Sequence, residues 1–430
     1  MDIKFFRLGE KAFPDIFRGS QKRRDKDISV IDQSIILDIY WKKTKFKFDF
    51  SKKFLNHTSR LVGKFQSIKK SFLFSKIIFL KKKILSLEKI YQIFYEKKNE
   101  TLSLIGNLIH SSTSFGKKCQ VVRFKIQKNF FRIKNQFLKF NHVELLKLIG
   151  AVDYDRGIKI SGNRGYFLKG IGLLLNNALI RYGLDFLVKR KFIALQTPFF
   201  MNKNLLSKCS QLEDFKEQLY GLNEDENKFL IATSEQPISV FHLDETLEKQ
   251  NFPLKYVGFS SCFRKESGSH GKDTSGLFRV HQFEKVEQFI LCTSNCLESW
   301  VYFDELLENV KYFYSSINIP FKFLNIASDS LNNAASKKID LLGFFPKSNT
   351  FRELVSCSNC TNYQSKKINI KLKSSKKNNE INFPHMLNST LCATTRVICC
   401  ILENFQTEFG VVIPSILRSY TGISFIPFEF

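Results

Sequence analysis

Apolar positions along the first hundred residues recur at helical spacing. Ile28, Ile31, Ile35 and Ile39 follow one another at intervals of three and four, and Phe46, Phe50, Phe54 and Leu61 continue the row less regularly. A second row, Ile84, Leu87, Tyr91 and Phe94, then Leu102 and Ile105, is closer to a heptad repeat. Two such rows in succession predict two long helices packed as an antiparallel coiled coil. From about Asn141 the texture changes, and helical segments alternate with short strand-like ones. The apolar stretch from Gly170 to about Lys189 predicts a helix, and a strand follows it, ending at Thr197 and Pro198. The expected division is a helical hairpin over residues 1–110, a linker over 111–140 and a second domain over 141–430. That domain is expected to be an antiparallel β-sheet flanked by helices, making the chain α+β. Neither common glycine-rich phosphate loop is present, which argues against a nucleotide held on a P-loop or a Rossmann turn.

The polar pattern is densest from Cys262 to Glu287, CFRKESGSHGKDTSGLFRVHQFEKVE, where two arginines, two histidines, three lysines and four carboxylates surround three glycines. An unpaired buried charge is very costly, so such a stretch must face a charged ligand or water. CFRKE and RVHQFEKVE alternate like the strands of a hairpin joined by SGSHGKDTSG. Alternation puts Arg264 and Glu266 on one face, with Gln282, Glu284 and Glu287 expected near the same floor. A guanidinium fork beside carboxylates suits a site that holds a phosphate and an amino acid together.

Composition sharpens this only in part. The net charge of +27, from 67 basic and 40 acidic residues, points to a polyanionic partner without choosing among RNA, DNA and an anionic membrane. Phe (46 residues), Lys, Asn and Ile are overused, as AT-rich codons dictate, so part of the charge is compositional. Lysines crowd the outer faces of the hairpin (Lys42, Lys43, Lys45, Lys47, Lys52, Lys53 and Lys81 to Lys83) without matching acids; solubility and RNA-phosphate binding both account for them. No apolar run approaches the roughly 20 residues of a membrane span, so no membrane partner is expected. The opening MDIKFFRLGEKAFPD has early acids and no apolar core, unlike a secretory signal. Ten cysteines include the pairs Cys292 with Cys296, Cys357 with Cys360, and Cys399 with Cys400, but none has a second pair at zinc spacing, so structural zinc is not expected. Reduced thiols fit a cytoplasmic setting, or the cytosol-like compartment of a reduced eukaryotic endosymbiont.

The Cys262–Glu287 run resembles motif 2 of a class II aminoacyl-tRNA synthetase, specifically that of the seryl-tRNA synthetase family. The N-terminal stretch through Phe46 and LSLIGNLIH (Leu102 to His110) resemble the cytosolic eukaryotic members, whose long hairpin grips the extra-long variable arm of serine tRNA. Gly170 to Pro198 resembles motif 1, which in the family builds a homodimer interface. His385 to Pro414 resembles motif 3.

The resemblance implies that ATP and L-serine give seryl-adenylate, and that serine then passes to the 3′ end of serine tRNA. It implies that Arg264 bridges the α-phosphate and the serine carboxylate, that Glu266 meets the adenine amino group, and that Val280, His281, Gln282 and Phe283 line the adenine pocket, with Lys265 beside them. In TFRELVSCSNCTNYQSKK, Glu353 and Ser356 correspond to ligands of the Mg2+ that accompanies ATP, with Leu354 and Val355 between them. CSNC alone also reads as a redox or zinc pair. Arg396 corresponds to the γ-phosphate arginine. Thr233 and Glu235 in LIATSEQPIS correspond to the ammonium-binding pair, Glu287 to the hydroxyl acceptor, and Asn388 and Thr390 complete the serine pocket. Lys272, Ser275, Lys366 and Lys367 stand where the family usually has arginine, which is expected to loosen phosphate contacts. The alternatives are a catalytically weak or inactive paralogue acting as an RNA-binding protein, a ligase that charges a carrier protein, and a plain basic structural protein.

Overall fold

The structure, a computed structural model, describes residues 3–7, 13–62, 68–125, 139–209, 218–223, 227–266, 276–373 and 382–429. It forms two compact units, Met1–Leu108 and Ile109–Phe430.

In the first unit, helix α1 (Pro14–Arg23) precedes two long helices, α2 (Ser29–Val62) and α3 (Ile68–Leu104), which pack antiparallel. Proline at the start of α1 loses no helical bond, and Asp15 in its first turn meets the positive end of the helix. Ile31, Phe48, Leu80, Ile84, Leu102 and Ile105 are buried in the seam. Asp38 is buried there too, held by Arg7 at 2.8 Å, Lys42 at 3.3 Å and Lys98 at 3.6 Å, while the Lys98 ammonium lies 3.7 Å from the Trp41 ring centre. A single buried ion pair of this kind fixes the register of two helices. One expected row is displaced. Phe46 is 72% exposed and Phe50 62% exposed, and Phe48 takes the seam position at 2%.

The second unit is built on an eight-stranded sheet. In chain order the strands are β1 (Gln120–Lys125), β2 (Ile193–Gln196), β3 (Leu254–Phe263), β4 (Gln282–Cys292), β5 (Phe321–Asn325), β6 (Lys337–Phe345), β7 (Thr350–Asn359) and β8 (His385–Ala393). Their order across the sheet is β1-β5-β6-β7-β8-β4-β3-β2, with every pairing antiparallel except β2 with β3. Residues 111–140, expected as a linker, thus contribute β1, whose backbone groups pair with β5 at the sheet edge.

Three helices cover one face: α4 (Ile171–Val188), α5 (Cys296–Ile317) and α6 (Thr394–Phe405). Tyr182 of α4 and Phe313 of α5 stack at 5.1 Å in the main core, which also takes Val286, Cys357 and Leu391 from the sheet. By length and composition α4 could span a bilayer, but half of it is buried in this core. Asn295 caps α5 by accepting from the Leu297 N–H, and Asn318 closes it in the left-handed conformation that suits asparagine. The opposite face of the central strands carries the candidate site.

Candidate active site

A cavity of about 390 Å³ opens on that face, lined by side chains of β4, β6, β7 and β8, by residues just past the end of β3, and by the starts of α6 and of the short helix Glu235–Ser239. Strand alternation decides which side chains reach it. On β4, Phe283, Lys285 and Glu287 face the cavity, while Gln282 and Glu284 face a second cavity of about 430 Å³ on the other side. Two of the three residues expected on that floor, Gln282 and Glu284, therefore face away from it, because residues 284 and 287 have opposite parity on one strand. Burial raises the Glu284 carboxyl against a hydrogen bond from Asn176, well away from the first cavity.

Past the end of β3, Arg264 and Glu266 line the first cavity, opposite Val280 and Phe283. Arg264 is fixed at both ends. Its N–H donates to the His281 carbonyl at 2.9 Å, and His281 Nδ1 donates to the Arg264 carbonyl at 2.9 Å. Its Nε donates to the Ala232 carbonyl at 3.3 Å, and its guanidinium lies 5.3 Å from the Phe283 ring centre. Glu266 adopts φ 51°, a left-handed conformation uncommon for glutamate, and pairs with Arg279. His281, Gln282 and Lys265 were expected in the nucleotide pocket. None lines it: His281 and Gln282 line the second cavity, and Lys265 lies near Tyr220. Of the three, His281 holds the backbone of Arg264, while the Gln282 carbonyl accepts from Tyr166 and the Lys265 N–H donates to the Gln218 carbonyl.

Glu353 and Ser356 lie three apart on β7 and in a regular strand would point to opposite faces. The pairing with β6 slips between Leu341 and Leu342, leaving Leu354 as the extra residue of a β-bulge. The bulge reverses parity, so both residues line the one cavity. Gly343 on β6 makes this possible, since a Cβ there would collide with the Leu354 side chain. Val355, expected beside the nucleotide, is 1% exposed in the main core instead. Cys357 and Cys360 are likewise buried, whereas Ser356 and Ser358 line the cavity.

Arg396, at the start of α6, reaches Glu353 at 3.4 Å and donates to its carbonyl at 3.1 Å. Burial works against the charge on Glu353, but Arg396, then Lys338, Arg264 and Lys285, more than offset it and hold the carboxyl below its usual range. Behind this pair, Lys338 lines the cavity and sits 3.3 Å from Asp340. Burial, with Glu353 adding to it, pushes Asp340 up to about 6 against the pull of Lys338. The cavity thus gathers Arg264, Arg279, Lys338 and Arg396 around Glu353 and Ser356. The hard carboxylate and hydroxyl oxygens of Glu353 and Ser356 are of the kind Mg2+ takes, and Asp340 Oδ1 is buried without a hydrogen-bond partner, but among the described residues no three His, Cys, Asp or Glu side chains gather as a metal site.

A second cluster is acidic. Glu287 is 3% exposed and accepts from the Glu235 N–H at 2.8 Å, Thr390 at 3.2 Å, Ser234 at 3.2 Å and Thr233, besides pairing with Lys285. Burial opposes its charge, but Lys285 together with the hydrogen bonds from Thr233 and the Glu235 N–H more than offsets it, so the Glu287 carboxyl lies below its usual range. Glu235, two residues past Thr233, is pushed up to about 7 by burial and then by the Glu287 charge. Asn388 donates to Glu235, while its Oδ1 is buried without a partner, a free acceptor beside a carboxylate. Gly258, directly opposite Glu287 on β3, lets the Glu235–Ser239 helix approach: a Cβ there would strike Ile238 and come within 3.2 Å of Ser234.

Thr233, Glu235, Arg264, Glu266, Val280, Phe283, Glu287, Glu353, Leu354, Ser356, Asn388, Thr390 and Arg396 therefore converge on one cavity. Lys285, Lys338, Arg279 and Gly258 were missed; the odd parity of Lys285 with Glu287 was the signal available. Lys272 and Ser275 lie outside the described residues. Lys366 and Lys367 sit on the helix Tyr363–Ile368, off the cavity lining, so their departure from arginine does not act there.

The tRNA synthetase class II core domain family (G, H, P, S and T) matches residues 215–405, and the seryl-tRNA synthetase N-terminal domain family matches residues 1–109. The cytoplasmic serine–tRNA ligase of Arabidopsis thaliana is 44% identical over 438 residues, covering 100% of this chain and 96% of that protein. A crystal structure of cytoplasmic serine-tRNA ligase from Naegleria fowleri in complex with AMP is 40% identical, covers 100% of this chain and 99% of that one, and superposes with a TM-score of 0.86. The seryl-tRNA synthetase of Pyrococcus horikoshii, complexed with ATP, is 32% identical with full coverage of both chains and a TM-score of 0.87.

Proposed function

The chain belongs to the seryl-tRNA synthetase family and is a serine–tRNA ligase of the cytoplasmic type, and we propose that its cavity of about 390 Å³ is where serine is activated. The observation that carries this is the division of one cavity into two clusters. The first gathers Arg264, Lys338 and Arg396 with Glu353 and Ser356; the second gathers Glu235 and Glu287 with Asn388 and Thr390.

The residues account for the chemistry as follows. Attack of the serine carboxylate on the α-phosphorus brings two anions together, so the protein must align them and neutralise charge. The Arg264 fork, held by its backbone bonds to His281, spans carboxylate and α-phosphate. Val280 and the Phe283 ring wall the adenine, and Glu266 accepts from its amino group. Arg396 holds the γ-phosphate. Glu353 and Ser356 would hold Mg2+, which supplies positive charge to the phosphate oxygens. The serine ammonium lies on Glu235 and the Asn388 Oδ1, and its hydroxyl donates to Glu287. A pocket built to bond a hydroxyl rejects the analogue lacking it by about 10⁴–10⁵.

The hairpin α2–α3 binds the long variable arm of serine tRNA through exposed lysines, among them Lys42, Lys43, Lys47, Lys53 and Lys81 to Lys83. The protein is a homodimer through the Gly170–Pro198 region, where Leu173, Leu174, Val188 and Ile193 are 47–56% exposed; sedimentation as a 50.2 kDa monomer at micromolar concentration contradicts this. No observation favours an inactive paralogue, since Arg264, Glu353 and Arg396 line the same cavity. The test is charging of serine tRNA with labelled serine and ATP. Ester formation on the 3′ end is expected, and its absence with a folded, ATP-binding protein contradicts the reading.

A further inference from the structure

Lys285 is 8% exposed, lines the serine pocket with Glu235 and Glu287 and pairs with Glu287, yet the steps above give it no role. We infer that Lys285 is a positioning residue that assigns separate tasks to the two carboxylates, fixing Glu287 as the acceptor for the substrate hydroxyl and leaving Glu235 as the anion that takes the substrate ammonium. The inference rests on the serine-activating reading of this cavity and goes beyond it.

The geometry carries it. The Lys285 ammonium pairs with Glu287 and donates to Thr233 Oγ1 at 3.2 Å, and Thr233 in turn donates to the other oxygen of Glu287. One lysine and one threonine therefore clamp both carboxylate oxygens from one side, and Thr390 and the Glu235 N–H hold them from the other. Glu287 is thus electrically satisfied and fixed in direction. Among the described residues the hydrogen-bond partners of Glu235 are the neutral Gln364, at 3.4 Å, and Asn388, and Lys285 acts on it only through space, so its charge is left for a cation. Among the described residues the other charged groups lining the cavity are Arg264, Glu266, Arg279, Lys338, Glu353 and Arg396, and the Cys262 thiol lies within reach of the Lys285 charge. Arg264 serves the carboxylate and Glu353 is paired with Arg396, so neither replaces Lys285. Without Lys285, two adjacent buried carboxylates cannot both ionise and share a proton instead. An amino acid could then place its ammonium on either one, and the orientation that presents its carboxylate to Arg264 is lost.

The experiment compares wild type, Lys285→Gln and Lys285→Arg in amino-acid-dependent ATP–pyrophosphate exchange, with serine and alanine, between pH 6 and 9. Lys285→Gln is expected to raise the serine KM about 10- to 100-fold while the ATP KM stays within about threefold. It is also expected to narrow the serine-to-alanine ratio and to move the acid limb of kcat/KM for serine to higher pH. Lys285→Arg, which keeps the charge, is expected to restore most of the serine KM and the wild-type pH profile. Unchanged serine KM and pH profile in Lys285→Gln overturn the inference, as does a parallel rise in both KM values. Should Lys285→Gln fail to fold, Lys285→Met takes its place under the same criteria: a serine-selective rise in KM supports the inference, and an unchanged serine KM or a parallel rise in both KM values overturns it. A wild type without serine-dependent exchange removes the ligase reading itself, a result distinct from any difference among the variants.

Discussion

Replacing Glu235 with glutamine removes a charge that burial and Glu287 oppose. Burial, and next the Glu287 charge, push this carboxyl from its ordinary 4.5 up to about 7. Between those values the folded protein holds a proton that the unfolded chain has released, so stability falls as pH rises through that window. At about 1.4 kcal/mol per pH unit the window is worth up to about 3 kcal/mol above pH 7. Coupling to Glu287 makes this an upper bound. Glutamine has nearly the same shape, keeps an acceptor for Gln364 and Asn388, and bears no charge. Glu235→Gln should therefore match the wild type in thermal stability near pH 4.5, exceed it increasingly up to about pH 7, and keep that margin at pH 8. The same substitution deprives the serine ammonium of its counter-charge, so kcat/KM for serine should fall by about 10²-fold or more. In the wild type, kcat/KM for serine should fall about tenfold per pH unit below about 7, as Glu235 takes up its proton. Calorimetric melting at pH 4.5, 6 and 8, beside pyrophosphate exchange at the same values, reads both effects. A variant no more stable than wild type at pH 8, or one that keeps the wild-type serine KM, refutes the reasoning.

Arg264→Lys keeps the charge but loses the fork, and pyrophosphate exchange should fall by about 10²–10³-fold with little change in melting temperature; near-normal exchange removes Arg264 from the chemical step. Gly258→Val pushes Ile238 and Ser234 off β3, so the serine KM should rise far more than the ATP KM; equal effects on both contradict the role assigned to that glycine. Replacing the α2–α3 hairpin with a short linker should leave serine-dependent exchange largely intact while tRNA charging collapses, and tRNA affinity of the intact protein should drop steeply with salt, at about 0.9 counterions released per phosphate neutralised. Full-rate charging by a folded, truncated protein contradicts the arm's role.

Much of the arm and the outline of the site were legible in the sequence, and the failures share a geometric cause. Ile84, Leu102 and Ile105 follow a near-heptad row and are buried. Phe46, Phe50 and Phe54 step by four, and each such step drifts about 40° around a helix of 3.6 residues per turn, which carries the row out of the seam and leaves the position to Phe48. The abundance of phenylalanine, set partly by codon composition, hid this. In the sheet, counting by two placed Arg264 with Glu266, and the resemblance supplied Asn388 and Thr390, but no local signal marks the bulge at Leu354 that turns Glu353 toward Ser356. The same counting, applied strictly, puts Lys285 with Glu287 and removes Gln282 and Glu284. Gly258 and Gly343 matter only through what packs against them from distant segments, and a single sequence does not contain that.

The account's central claim is that one cavity joins serine to ATP through Arg264, Glu235 and Glu287. Amino-acid-dependent ATP–pyrophosphate exchange by the purified protein, run in parallel with serine, alanine and threonine and without tRNA, tests it most directly. Strong exchange with serine and about 10⁴-fold weaker exchange with alanine is the expected result, because alanine leaves Glu287 without its hydroxyl. Exchange that does not depend on serine, or that alanine supports as well, contradicts the account.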